Sequence, residues 1–137
     1  MKRCVSYFSL LVLLLALAGT ASVSATGSER ATHERGFDLG FDGKYRHGKP
    51  VKVKNFTFSA FTVDCDEGSK TDASATLPAM KVKRRAFGDT FKDQGMKTAV
   101  TGKYNKALTK VKGTLRVRGK VNGLKGCDSG VVEWVTN

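Results

Sequence analysis

Cations at alternate positions near the C-terminal end are the side chains with most chemistry to offer. From Lys110 to Val121 the chain reads KVKGTLRVRGKV. Lys110, Lys112, Thr114, Arg116, Arg118 and Lys120 alternate with Val111, Gly113, Leu115, Val117, Gly119 and Val121. Strand side chains point to opposite faces with period two. One face is therefore aliphatic, and the other is a row of cations broken by Thr114. Met96–Tyr104 alternates too, with Lys97 and Lys103 on its polar side. Pairing as a hairpin would put Lys97, Lys103, Lys110, Lys112, Arg116, Arg118 and Lys120 on one surface. Lys81, Lys83, Arg84 and Arg85 are placed to extend it. Spaced cations neutralise successive phosphates or carboxylates of a polyanion and release its counterions. A solvated sheet face kept soluble by like charge gives the same pattern. Against that bland account stands the lack of any Asp or Glu from Met96 to Leu124, where mixed signs are usual.

The other reactive groups are sparse. Asp64, Asp66 and Glu67 flank Cys65, and Asp128 follows Cys127. Hard oxygen ligands suit Ca²⁺, but the spacing matches no EF-hand loop, and turn-forming Asp residues account for most of them. His33 and His47 have no neighbouring Ser or Cys motif, and no G-x-S-x-G, H-E-x-x-H or phosphate loop occurs. A carboxylate pair such as Asp64 and Glu67 is what glycoside hydrolysis would call on, but a domain of this size and pattern offers little cleft. We expect no enzyme, no metal and no cofactor. Single-stranded nucleic acid needs aromatic platforms among the cations, and the nearby Tyr104 has an inward phase.

The N-terminus reads as an export signal. Lys2 and Arg3 precede an apolar run from Tyr7 to Ala18, too short to span a bilayer. Val23-Ser24-Ala25 suits cleavage after Ala25; a cut after Ala21 is the alternative. Thr20 stands where a lipobox needs Cys, so no membrane anchor is expected after cleavage. The expected organisation is a signal peptide over 1–25, a flexible tail over 26–35 and one domain over 36–137. The chain carries 24 Lys+Arg against 12 Asp+Glu, a net charge of +12; losing Lys2 and Arg3 lowers it by two. Such a field attracts anions generally. Cys4 leaves with the signal, so Cys65 and Cys127 remain, and export makes one disulfide the expected state. Free or metal-bound thiols are the alternative, without a CxxC partner or nearby His to support it.

The positioning elements read as short strands. Phe37, Leu39 and Phe41 alternate inward, with a turn signal at Asp42-Gly43. Val51–Cys65 shifts phase, since Val51 and Val53 are out of register with Phe56 and Phe58, and Phe61 and Val63 return to the first. Bulges near Lys54-Asn55 and Ser59-Ala60 would repair this. Thr71–Leu77 and Met80–Val82 read as weaker strands, and Phe87 and Phe91 fill the core from a loop or short strand. Turns follow at Asp93-Gln94-Gly95 and Asn122-Gly123, before a last strand at Val131–Val135. No helical stripe occurs. Seven or eight such strands predict an all-β antiparallel β-sandwich, jelly-roll-like, after the signal helix. Gly113 and Gly119 on the apolar face predict close approach of another group, with Trp134 a candidate.

Gly113-Thr114-Leu115-Arg116, Cys127-Asp128-Ser129-Gly130 and Trp134, with Lys54-Asn55-Phe56 and Val63-Asp64-Cys65 before them, carry a resemblance. They resemble a group of small exported bacterial proteins, mainly actinobacterial and functionally unassigned. The resemblance covers most of Val51 to Trp134. It implies an extracellular β-sandwich with Cys65 paired to Cys127, and no activity or functional residue.

The resulting expectation is a secreted or envelope-associated monomer without catalysis. Its basic face contacts an anionic cell-wall polymer or extracellular polysaccharide. A structural or protein-interaction module whose charge gives only solubility is the alternative, and a small hydrolase the third.

Overall fold

Phe56 and Phe58 stand out of phase with Val53, Phe61 and Val63, and the chain resolves the conflict by bulging twice. The computed structural model describes residues 20–27 and 36–136. Within them β1 (Thr20–Gly27), β2 (Phe37–Arg46) and β3 (Lys49–Asp64) lead to a short 3₁₀ turn, Asp66–Gly68. β4 (Lys70–Leu77), β5 (Met80–Lys81), β6 (Ala86–Asp93) and β7 (Met96–Tyr104) follow. β8 (Val111–Val121), β9 (Leu124–Asp128) and β10 (Val132–Thr136) complete the order. Along β3 the register against β2 slips opposite Asn55, and the register against β4 slips between Phe58 and Phe61. Asn55 and Ala60 take positive φ, 52° and 54°, at these two points. Each bulge adds one residue and reverses the phase. Val53, Phe56, Phe58, Phe61 and Val63 all end fully buried.

All described pairings are antiparallel, and all ten strands join one sheet. The order runs β10-β1-β2-β3-β9-β8-β7-β6, with β4 and β5 on the other edge of β3. A further pairing of β10 with β8 curls the sheet back on itself. Its inward faces pack against each other in a sandwich-like core, as the alternation predicts. Phe41, Phe56, Phe87 and Trp134 meet there with ring centroids 5.7 to 6.5 Å apart. The predicted close approach at Gly113 is real: a Cβ there would strike the Trp134 ring and the Thr101 carbonyl. Gly119 instead meets the backbone of Gly95 at the β6–β7 turn.

One local expectation changes and another is narrowed. Asp42-Gly43 is no turn, because β2 continues to Arg46. Gly43 is instead a point of close approach, where a Cβ would lie 3.0 Å from the Tyr104 hydroxyl and 3.1 Å from the Tyr45 ring. Of the loop or short strand expected around Phe87 and Phe91 the structure has the strand, β6, eight residues paired with β7 along its length, with Phe87 buried and Phe91 packed against the core. At the other end, residues 1–19 and 28–35 lie outside the described residues, and with them most of the expected signal peptide and tail. Thr20–Ala25, the end of that signal, and Thr26-Gly27 form β1 between β2 and β10.

Cys65 and Cys127 form a disulfide with their Cα atoms 3.8 Å apart. It ties the end of β3 to β9 and closes a 62-residue separation, worth about 4 kcal/mol on the chain-entropy account. No described helix is long and apolar enough to cross a membrane.

Candidate anion-binding face

β7 and β8 pair along nine positions with their apolar residues inward. Thr98, Val100 and Tyr104 of β7 are buried, as are Val111, Leu115, Val117 and Val121 of β8. The opposite phase of both strands therefore faces out. Lys97 lies across from Arg118, and Lys103 across from Lys112. β6 adds Lys92 across from Lys97 on its other side. The result is one cationic row of Lys92, Lys97 and Arg118 and a second containing Lys103 and Lys112. Six residues of strand separate the rows, about 20 Å. Ala99, Thr101 and Thr114 lie between, and the Thr101 and Thr114 hydroxyls are 2.7 Å apart.

The other predicted cations have different surroundings. Arg116 donates from Nε and Nη2 to the two carboxylate oxygens of Asp128, at 3.0 and 2.7 Å. That hydrogen bonding holds the Asp128 carboxyl below its ordinary range. Partial burial opposes the shift, and the Gly130 N–H and the Arg116 and Arg118 charges add to it. Arg116 is thus committed to β9. Lys110 precedes β8, where its backbone closes the Asn105 loop through bonds of 2.9 and 3.2 Å. Lys120 sits past Arg118, its N–H on the Gly95 carbonyl at 3.0 Å. Acids absent from Met96 to Leu124 in sequence reach this face from other strands, with Asp128 opposite Arg118 and Glu133 opposite Thr114.

The Lys103–Lys112 row also continues where sequence reasoning only partly followed it. Lys103 pairs with Ala86, and Ala86 bridges to Lys83. Two residues earlier, Lys81 stands across from Lys52, and Lys52 across from Lys44. Inward neighbours Met80 and Val53 are buried, so Lys81 and Lys52 face outward with Lys44. A belt of cations, Lys112, Lys103, Lys83, Lys81, Lys52 and Lys44, crosses the sheet near one end of its strands. Lys44, Lys52 and Lys92 were not singled out from the sequence. The K-V-K alternation at Lys52 marks an outward cation, but its alignment with Lys44 and Lys81 depends on pairings the alternation does not specify.

The segments that carry the sequence resemblance meet in a structural clasp. Gly113 lies under Trp134, Arg116 grips Asp128, and Ser129 Oγ accepts the Val117 N–H at 2.9 Å and donates to the Gly130 carbonyl at 2.7 Å. Trp134 is buried against Phe41, Phe56 and Phe87, so it serves as core rather than as an exposed stacking platform.

Of the acids around the disulfide, Asp64 and Asp128 stand across from each other, and each takes a cationic partner. Asp64 lies 3.5 Å from the Lys70 ammonium, Asp66 packs against Gly126, and Asp128 holds Arg116. Among the described residues no group of three His, Cys, Asp or Glu is placed to hold a metal ion. An open hollow of about 500 Å³ beside the β6–β7 and β8–β9 turns has Asp93 as its one carboxylate, with Lys120 and Ser74 nearby. No family model, curated protein or solved structure matches this chain.

Proposed function

We propose that this is an exported binding module whose basic sheet face adsorbs to an anionic polymer of the cell envelope or extracellular matrix, without catalysis. One observation carries the reading. Lys92, Lys97 and Arg118 stand directly across from one another, as do Lys103 and Lys112, on paired strands. Like charges in directly opposed positions destabilise a sheet by some tenths of a kcal/mol each. Solubility requires charge but not juxtaposed charge. For Lys97, Lys103, Lys112 and Arg118 protection against edge pairing is no reason either, because β7 and β8 both have partners on each side; Lys92 alone lies on the edge strand β6. A polyanion laid across the strands turns that repulsion into binding energy and releases counterions.

The disulfide supports an oxidising compartment, hence export. The Arg116–Asp128 pair favours the alternative at that one position, where a cation serves the fold rather than a ligand.

Titrating the protein with poly-glutamate and with polyphosphate at rising salt tests the reading. The expected result is binding whose affinity falls steeply and linearly on a log–log plot, and Lys97→Gln with Arg118→Gln flattens that slope. Affinity no higher than that of an unrelated protein of equal net charge would remove the proposal.

A further inference from the structure

Among the described residues, Arg84 and Arg85 occupy the one two-residue hairpin turn in which neither central position is glycine. Lys83 and Ala86 close it through two backbone hydrogen bonds of 2.9 Å. Arg84 and Arg85 both take positive φ, 51° and 66°. The turns at His47-Gly48, Gln94-Gly95 and Asn122-Gly123 share this left-handed backbone, and each has glycine second. Left-handed geometry at both central residues favours Asn-Gly or Asp-Gly, because any Cβ approaches the following carbonyl, glycine has none, and a short polar side chain can bond locally. The first position is a non-glycine residue in all four turns, so Arg85 is the departure: it holds a left-handed backbone where the other three turns place glycine. A turn held this way without glycine presents Arg84 at its tip, and the use of each arginine is read from its surroundings.

The two arginines divide in role. Arg85 reaches back, its Nη1 donating to the Tyr104 carbonyl at 3.3 Å, while its own carbonyl accepts the Tyr104 N–H at 2.8 Å. That fixes the turn against the end of β7. Arg84 is exposed at the tip. On one side of it lie Lys103 and Lys112, reached through Ala86; on the other lie Lys81, Lys52 and Lys44. The tip stands where the two halves of the cationic belt meet.

We propose that Arg84 is the principal anion-gripping residue of this belt, and that the ligand is a linear polyanion lying across the strands from Lys112 to Lys44. This rests on the reading of the protein as a polyanion-binding module and names the path of the polymer. The guanidinium presents two parallel N–H donors to one phosphate or carboxylate, which an ammonium does not. The lysines on either side supply point charges to successive groups of the same chain.

Arg84→Asn tests it, since Asn suits the first left-handed position and leaves the Arg85 bond intact. The variant should melt at or above the wild-type temperature, yet bind polyphosphate or poly-glutamate roughly tenfold more weakly at low salt. Arg84→Lys, which keeps the charge, should bind with intermediate affinity. Unchanged affinity in Arg84→Asn overturns the assignment, and so does a lower melting temperature, which would mean that arginine there serves the fold. A stronger loss with polyphosphate identifies the gripped group as phosphate, and with poly-glutamate as carboxylate; either supports the grip. The Lys97→Gln, Arg118→Gln protein, measured alongside, separates the two proposals. If it loses binding while Arg84→Asn does not, the face stands and the belt falls.

Discussion

Gly113 shows how much one absent side chain decides. Its place on the aliphatic phase of β8 was readable from alternation, and so was the need for a close neighbour. The neighbours are the Trp134 ring and the Thr101 carbonyl, and the latter is backbone that has nowhere to go. Gly113→Ala should therefore cost roughly 1–3 kcal/mol in denaturant unfolding. Gly123→Ala, strained by φ of 83° but with open space around its Cβ position, should cost about 1–2 kcal/mol. Asp128 gives a second test at this scale. Its folded pKa lies below the ordinary 3.8, so the paired carboxylate contributes stability above that pH. The contribution is lost as pH falls through the folded value. Melting temperatures of wild type and Asp128→Asn should differ at pH 6 and converge in acid below about pH 3.8. A constant gap would contradict the ion pair's role. Tyr104 was legible as inward, but not the burial and the nearby Tyr45 that push its phenol above the ordinary range.

At the scale of elements, β3 was the most legible part. Its phase reversals announce both bulges, because a strand with one buried face tolerates no slip without correction. β2 was misread at Asp42-Gly43, since a turn dipeptide and a glycine inside a strand beside the Tyr45 and Tyr104 rings look alike in one dimension. The Arg116–Asp128 contact and the Lys81–Lys52–Lys44 alignment were hidden for another reason. They depend on which strands become neighbours, and periodicity fixes a face but not a neighbour. β1 poses a question of the same kind. Cleavage after Ala25 would remove Thr20–Ala25, whose backbone pairs with β2 and, at Ala25, with β10. Cleavage after Ala21 keeps Ser22–Gly27. A chain beginning at Ser22 should melt at a higher temperature than one beginning at Thr26, because the shorter chain leaves facing edges of β2 and β10 unpaired. Equal melting temperatures would show that β1 adds nothing to the fold.

For the whole molecule, composition gave the sign of the field and alternation gave one face of it. Folding places the charge more specifically than either. Lysines and arginines separated by up to 68 positions, from Lys44 to Lys112, fall on a common belt, and Arg116 is withdrawn from the set by an aspartate brought from β9. If net charge alone attracted polyanions, position would be irrelevant. The most direct measurement is therefore binding by two variants of identical net charge. In one, Lys97, Lys103, Lys112 and Arg118 become Gln; in the other, Lys49, Lys54, Lys106 and Lys125 do. At equal salt the first should lose most of its affinity for an anionic polymer, and the second should keep most of it. Equal losses would contradict the account and leave the basic face as solvated surface.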